Sequence, residues 1–165
     1  MILMNDFKAE PETLRVAELA AADRVLRSGW YVLGNEVRTF EQAWARRCGV
    51  SHAIGVGNGM DAIEIGLRAL GIGRGDEVIT TPMTAFATVL AVIRAGAVPV
   101  LADIDPRTAL LDPASVERCI SPRTKAVLLV HLYGQMREME RWKALCKHAE
   151  IALLEDCAQS HLASW

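Results

Sequence analysis

The chain has 165 residues, a formal net charge of −2 and 52% hydrophobic residues, which predicts one domain with a sizeable core. Its Lys and Arg residues are dispersed among acidic ones, which argues against a nucleic-acid partner. No apolar run reaches the ~18 residues of a membrane span, and the first residues lack the pattern of a secretory signal; we therefore expect no membrane partner and a cytoplasmic location.

Two helices, and then an alternation of strands and helices, are predicted along the chain. Pro11 opens the first helix, over residues 11–27, and the second begins at Asn35 and finishes at Gly49. From residue 53 onward, short apolar runs alternate with helical segments. Strands are predicted over residues 53–56, 77–80, 98–101, 125–130 and 151–154, and helices over residues 61–70, 85–95, 113–120 and 138–148.

The predicted strands are apolar on both faces, which is typical of a parallel sheet covered by helices on both sides. The sequence has no internal repeat, low-complexity tract or Pro- or Ser-rich linker, and this favours a single α/β domain over residues 1–165. Ligands of such open sheets bind outside the carboxyl ends of the strands. The motifs that follow the strands are therefore the candidates for function.

A glycine-rich turn over residues 55–61 follows the first apolar run and leads into a helix. Its glycines allow the backbone to pass close to a ligand, and the free N–H groups of the helix start suit a phosphate. A dinucleotide fingerprint would need glycine at Met60 and an acid after the second strand, and both are missing. The alternative is a turn that only packs strand against helix.

Two more motifs follow the next strands. Phe86, at the start of a helix, could lie flat against a conjugated ring or be ordinary core packing. Asp103 and Asp105 have a spacing that could hold a divalent metal with a nucleotide diphosphate, as in many glycosyltransferases. A turn is the favoured interpretation there, because Asp and the following Pro106 are turn formers.

Asp156 is the most informative position, because it places an acid at the end of the apolar run 151–154. Such a carboxylate is costly unless it meets a cation or several donors, and a protonated pyridine nitrogen is such a partner. Gln159 and His161 follow within reach, and either could bind the phenolic oxygen of the ring or a substrate. A metal site from Asp156, Cys157 and His161 is the alternative, with a spacing that matches no standard ligand set.

In their joint order, these motifs resemble the DegT/DnrJ/StrS family of nucleotide-sugar aminotransferases, over essentially the whole chain. The most similar members are those that aminate keto-deoxy sugars attached to a nucleotide. The strings that carry the resemblance lie at residues 30–34, 55–63, 75–79, 81–86, 95–97, 130–135 and 155–159.

The resemblance implies an aspartate aminotransferase-type fold, known as fold type I of the enzymes that depend on pyridoxal phosphate (PLP). Residues 1–165 would then be part of the PLP-binding large domain with its N-terminal helices, and the C-terminal small domain would be absent. The resemblance also implies a keto sugar linked to dTDP as substrate, glutamate as amino donor, and a homodimer with active sites at the interface.

Carried over residue by residue, the resemblance assigns roles in cofactor binding. The cofactor phosphate is assigned to the helix start at Gly59, Met60 and Asp61. Many relatives have Thr or Ser at the position of Met60, so here we expect backbone contacts only. Phe86 is expected to stack on the ring, Asp156 to bind the pyridine nitrogen, and Gln159 to lie near the phenolic oxygen. Tyr31 and His161 are the candidates for substrate binding, and no metal is expected.

Transamination also needs a lysine that forms the Schiff base and moves a proton, and the resemblance places it well beyond Asp156, outside this sequence. The lysines present are Lys8, Lys125, Lys143 and Lys147, and none is predicted at the crevice. We therefore expect no turnover by these residues alone. The alternatives are a non-catalytic short homologue that binds a cofactor or partner and, more distantly, a metal-dependent glycosyltransferase that uses Asp103 and Asp105.

Overall fold

The computed structural model describes residues 6–136 and 138–164, and the chain divides into two compact units, residues 1–55 and 56–165. The first unit contains α1 (Glu12–Ser28) and α2 (Asn35–Cys48). Both helices end at a glycine with a left-handed backbone, Gly29 (φ 65°) and Gly49 (φ 68°), a conformation that glycine adopts without a Cβ penalty. The sequence predicted both helices and both glycine ends.

The second unit alternates strands and helices, as predicted. Its helices are α3 (Gly59–Ala69), α4 (Phe86–Ala95), α5 (Pro113–Cys119) and α6 (Met139–His148). Its strands are β1 (Glu77–Thr80), β2 (Val98–Leu101), β3 (Ile104–Asp105), β4 (Leu110–Leu111), β5 (Thr124–Val130) and β6 (Ala152–Asp156). No helix in the described part of the chain is long and apolar enough to cross a membrane.

Four of these strands form one parallel sheet in the order β2-β1-β5-β6. The register pairs Val130, the last residue of β5, with Asp156, the last residue of β6. The carboxyl ends of these two strands therefore lie side by side, and the loops that follow them start from the same edge of the sheet.

Hydrophobic cores cover both faces of this sheet. On β5, Val127 and Leu129 belong to one core, with Trp142 of α6 as its largest member. Ala126 and Leu128 belong to the other core, which includes Leu67 of α3. Successive side chains of a strand point to opposite faces, so this alternation explains why the predicted strands are apolar throughout. The expected sheet with helices on both sides is confirmed.

The predicted strand over residues 53–56 is wrong. These residues form no strand, and Ile54 is 79% exposed. The backbone N–H of Gly55 donates to the carboxylate of Glu41 (2.7 Å) rather than to a neighbouring strand. An apolar run becomes a strand only where another strand takes up its backbone hydrogen bonds, and among the described residues no strand pairs with this run.

A small antiparallel hairpin, β3 with β4, was not predicted. The turn between its strands begins at Asp105, whose side chain accepts from the backbone N–H of Arg107 (2.9 Å) and pairs with the guanidinium of the same residue (3.0 Å). The backbone N–H of Asp103 donates to the Ser115 hydroxyl (2.8 Å). These contacts favour the turn interpretation over a metal site for the two acids.

Candidate functional site

A cleft with a volume of about 440 Å³ lies beside the carboxyl end of β6, a size typical of small-molecule sites. Apolar side chains of α3, β5 and β6 line one part of it. Three of the predicted site residues, Gly59, Asp156 and His161, also line the cleft. The site therefore lies where a parallel sheet places its ligands, outside the carboxyl ends of the strands.

The Asp156 carboxylate is held by donors at both oxygens. The backbone N–H of Ala158 donates to Oδ1 (3.1 Å), and the hydroxyl of Thr88 donates to Oδ2 (3.2 Å). No cationic side chain pairs with this carboxylate in the described part of the chain. An ionised carboxylate offers about four acceptor positions, so Asp156 retains capacity for a further N–H donor.

Phe86 is the first residue of α4, and its side chain is 74% exposed. The alternative interpretation of Phe86 as ordinary core packing is therefore wrong. Thr88, which donates to Asp156, lies in the same helical turn and is only 1% exposed. The start of α4 thus presents an exposed aromatic ring and, two residues later, a buried hydroxyl bound to Asp156.

The start of α3 is capped by Asn58, whose side-chain oxygen accepts from the backbone N–H of Asp61 (2.9 Å). The Asn58 amide also donates to the Asp61 carboxylate (2.8 Å), which forms an ion pair with Arg94 (3.3 Å). Asp61 therefore has its N–H engaged by the cap. The N–H groups of Gly59 and Met60 belong to the first helical turn and have no intrahelical acceptor, so these two can face an anion.

Gln159 connects the loop after β6 to the loop after β5 through a hydrogen bond. The backbone N–H of Tyr133 donates to Oε1 of Gln159 (2.7 Å). A backbone N–H can only donate, so this contact fixes the oxygen of the amide towards Tyr133 and leaves its Nε2 as a donor. Tyr133 has a left-handed backbone (φ 58°), which costs a non-glycine residue about 1–2 kcal/mol.

His131 and Glu155 are site neighbours that the sequence reasoning missed. His131 is fully buried after β5, and its Nε2 lies 2.9 Å from Oε2 of Glu155. The backbone N–H of His131 donates to the carbonyl of Asp156 (3.1 Å). A histidine directly after an apolar strand, like the acid at Asp156, was the available signal. Thr88 was also missed, because nothing in its local sequence indicates its partner.

The structure does not support the metal alternative at Asp156, Cys157 and His161. In the described ranges, the one group of three ligand types that lies close enough for a metal is His131, Glu155 and Cys157, with ligand atoms within 4.8 Å. Within that group, the contact between His131 and Glu155 already has the length of a hydrogen bond.

Tyr31, His161 and the lysines complete the set of predicted positions. Tyr31 lies in the first unit, where its hydroxyl donates to the carbonyl of Leu26 (3.3 Å), so its role in substrate binding stays a prediction, as does that of His161. Lys125 is the second residue of β5, at the end opposite Val130. All of the lysines, Lys8, Lys125, Lys143 and Lys147, are exposed.

Comparison with known proteins identifies the lineage of the chain. A sequence profile of the DegT/DnrJ/EryC1/StrS aminotransferase family matches residues 12–165. The chain belongs to this family. Aminotransferases of this family depend on PLP, which confirms the predicted family and cofactor.

Two relatives act on sugars linked to different nucleotides. The dTDP-3-amino-3,6-dideoxy-alpha-D-galactopyranose transaminase of Aneurinibacillus thermoaerophilus is 48% identical over 141 residues, or 86% of this chain and 39% of the relative. The UDP-2-acetamido-2-deoxy-3-oxo-D-glucuronate aminotransferase of Pseudomonas aeruginosa is 44% identical over 165 residues, or 100% of this chain and 46% of the relative.

The fold also matches a solved structure, S. venezuelae DesV in complex with a ketimine intermediate. The TM-score is 0.91 with 46% sequence identity, and the match covers 94% of this chain and 42% of DesV. The predicted PLP fold type I is therefore confirmed. The chain spans less than half the length of each of these three proteins.

Proposed function

We propose that this chain is the cofactor-binding part of a PLP-dependent aminotransferase that converts a keto group of a nucleotide-linked keto-deoxy sugar to an amino group. The observation that carries the proposal is the Asp156 carboxylate, which is oriented by donors at both oxygens and pairs with no cationic side chain among the described residues. Bound PLP supplies an electron sink through its protonated ring nitrogen, and a carboxylate in this state is suited to hold that proton.

The other residues divide the remaining contacts. Phe86 covers one face of the ring. Nε2 of Gln159 donates to the phenolic oxygen, because Oε1 accepts from the backbone N–H of Tyr133. The N–H groups of Gly59 and Met60 bind the phosphate, and the partial positive charge at the start of α3 also attracts it.

Asp61 takes a different part from the one predicted. It acts through the cap, because its N–H donates to Asn58 and its carboxylate binds the Asn58 amide and Arg94. These contacts stabilise the helix start that holds the phosphate. Tyr31 and His161 remain the proposed substrate contacts.

The proposed sugar is linked to dTDP, in line with the transaminase of A. thermoaerophilus, and the proposed donor is glutamate. We further propose a homodimer with the active sites at the interface. We also propose a cytoplasmic location, in keeping with the four cysteines, which are free thiols in the structure. The Schiff-base lysine is proposed to lie in sequence beyond these residues, because none of the lysines at 8, 125, 143 and 147 lines the cleft beside Asp156. Lys125 lies at the opposite end of β5 from Val130.

Titration with PLP, followed by borohydride reduction, tests the proposal. The complete gene product should bind PLP, and reduction should trap the cofactor on a lysine beyond residue 165. Asp156→Ala should weaken binding by about 10- to 100-fold, the worth of a hydrogen bond to a charged group. Asp112→Ala is the matched control, because Asp112 caps α5 through the N–H groups of Ala114 and Ser115.

Three outcomes separate the possibilities. Equal PLP affinity of the Asp156→Ala variant and the unaltered protein would refute the role of the carboxylate. Retained binding without a reduced lysine adduct would favour the second candidate, a non-catalytic homologue that binds the cofactor. Binding that depends on a divalent metal would instead favour the glycosyltransferase alternative.

A further inference from the structure

We propose that Thr88 is a positioning residue that holds the Asp156 carboxylate in the orientation needed to keep the cofactor ring nitrogen protonated. This inference rests on the proposed function, since it assumes that Asp156 meets that nitrogen. The supporting contact is the hydrogen bond from the Thr88 hydroxyl to Oδ2 of Asp156 (3.2 Å), which joins α4 to the end of β6 across 68 positions of sequence.

The direction of the hydrogen bonds follows from the chemistry of the groups. An ionised carboxylate can only accept, so the single hydroxyl hydrogen of Thr88 is directed to Asp156. The Thr84 hydroxyl lies 2.9 Å from the Thr88 hydroxyl and must therefore be the donor in that pair. The result is a chain of donors from Thr84 through Thr88 to Asp156, in which each bond polarises the next.

The position of Thr88 makes this chain specific. Its side chain is 1% exposed, so water does not readily replace the hydroxyl. The second oxygen of Asp156 is held from a different element, by the N–H of Ala158 in the loop after β6. Two donors from two elements fix the plane of the carboxylate, and a third donor can approach only along the acceptor directions that remain.

The same helical turn also carries Phe86, the proposed ring contact. A displacement of α4 would therefore move the aromatic ring and the hydroxyl together. Because of this arrangement, one rigid element rather than two separately moving loops would position the cofactor ring relative to the carboxylate.

Three variants of the complete gene product test the inference. Thr88→Val removes the hydroxyl at nearly constant volume, and Thr88→Ser restores it. Thr80→Val is the matched control, because Thr80 is equally buried but its hydroxyl donates to the carbonyl of Leu128 (2.9 Å) rather than to Asp156. The probe is pyridoxamine 5′-phosphate labelled with ¹⁵N in the ring. Its dissociation constant is measured by fluorescence titration, and the protonation of its ring nitrogen by the ¹⁵N chemical shift.

We expect Thr88→Val to weaken binding by about tenfold and to move the ring ¹⁵N signal towards that of the neutral pyridine. Thr88→Ser should bind within about threefold of the unaltered protein and keep its signal. Thr80→Val should lower the free energy of unfolding without a change in the ring signal. These results together would support the inference, because a merely structural role of Thr88 would not change the ¹⁵N chemical shift of the ring nitrogen.

Two outcomes would overturn the inference while leaving the proposed function intact. One is an unchanged affinity and ring signal in Thr88→Val. The other is an equal change of both in Thr80→Val, which would reduce the effect to general destabilisation. A failure of the unaltered protein to bind the probe is a different result and would refute the proposed function together with the inference.

Discussion

Gln159 offers a substitution that separates its structural contact from its proposed contact with the cofactor. Gln159→Glu keeps an oxygen that can accept from the N–H of Tyr133, but it removes the Nε2 donor. Gln159→Leu removes both. Because the structure fixes which end of the amide faces Tyr133, the two variants are expected to differ in stability and to agree in weakened binding of PLP.

The magnitudes follow from the contacts. The hydrogen bond to Tyr133 (2.7 Å) has a typical net worth of about 1 kcal/mol, and it supports a left-handed tyrosine. Gln159→Leu should therefore lower the free energy of unfolding by about 1 kcal/mol, and Gln159→Glu should leave it within about 0.5 kcal/mol. The loss of a donor to a charged phenolic oxygen predicts PLP affinity at least about tenfold weaker in both variants.

Urea unfolding measures the first quantity, and fluorescence titration with PLP measures the second. Gln135→Glu is the matched control, because it adds the same charge at an exposed position in the loop after β5. Gln135 has no proposed contact with the cofactor. If Gln159→Glu binds PLP as tightly as the unaltered protein, the proposed contact with the phenolic oxygen is wrong. Equal destabilisation by Gln159→Glu and Gln159→Leu would show that the Tyr133 contact is misassigned.

Two further predictions concern stability. Trp142→Ala should lower the free energy of unfolding, measured by urea unfolding, by about 3–5 kcal/mol, because Trp142 is 1% exposed within a packed core. Ile54 is 79% exposed, so Ile54→Ala should change the free energy of unfolding by less than about 0.5 kcal/mol. The Ser121 hydroxyl and then the Arg123 guanidinium lower the pKa of Glu77 from its ordinary 4.5. The stability that Glu77 contributes is therefore complete above pH 4.5 and is lost as the pH falls through the lowered pKa. Unfolding midpoints measured from pH 7 to pH 2 should fall less steeply in Glu77→Gln, and an unchanged acid limb in that variant would contradict the assignment.

The sequence was sufficient where the determining interactions are local. Gly29 and Gly49 ended the first two helices as predicted, because a left-handed cap is a property of one residue. Asp156 was found because an acid directly after an apolar strand is costly without a partner. Phe86 was left with two interpretations, since its exposure depends on the packing of α4 against other elements.

Interactions between distant elements could not be predicted in this way. The partner of Asp156 in α4 is Thr88, 68 residues away, and neither residue's neighbours in sequence indicate the other. The contact between His131 and Glu155 joins two strand ends in the same manner. The prediction of a strand at residues 53–56 was wrong for a related reason. The composition of this run suits a strand, but strand formation depends on a neighbouring strand with which to pair.

The register of β5 against β6 has a consequence for how this sequence can vary. Alternate residues of β5 belong to opposite cores, and Asp156 is paired with Val130. A deletion or insertion of one residue inside β6 would turn its later side chains to the other face of the sheet, and the carboxylate would face away from Thr88. Substitutions in β6 are thus expected to be tolerated far more often than changes of its length, and natural insertions should be confined to the loops at its two ends.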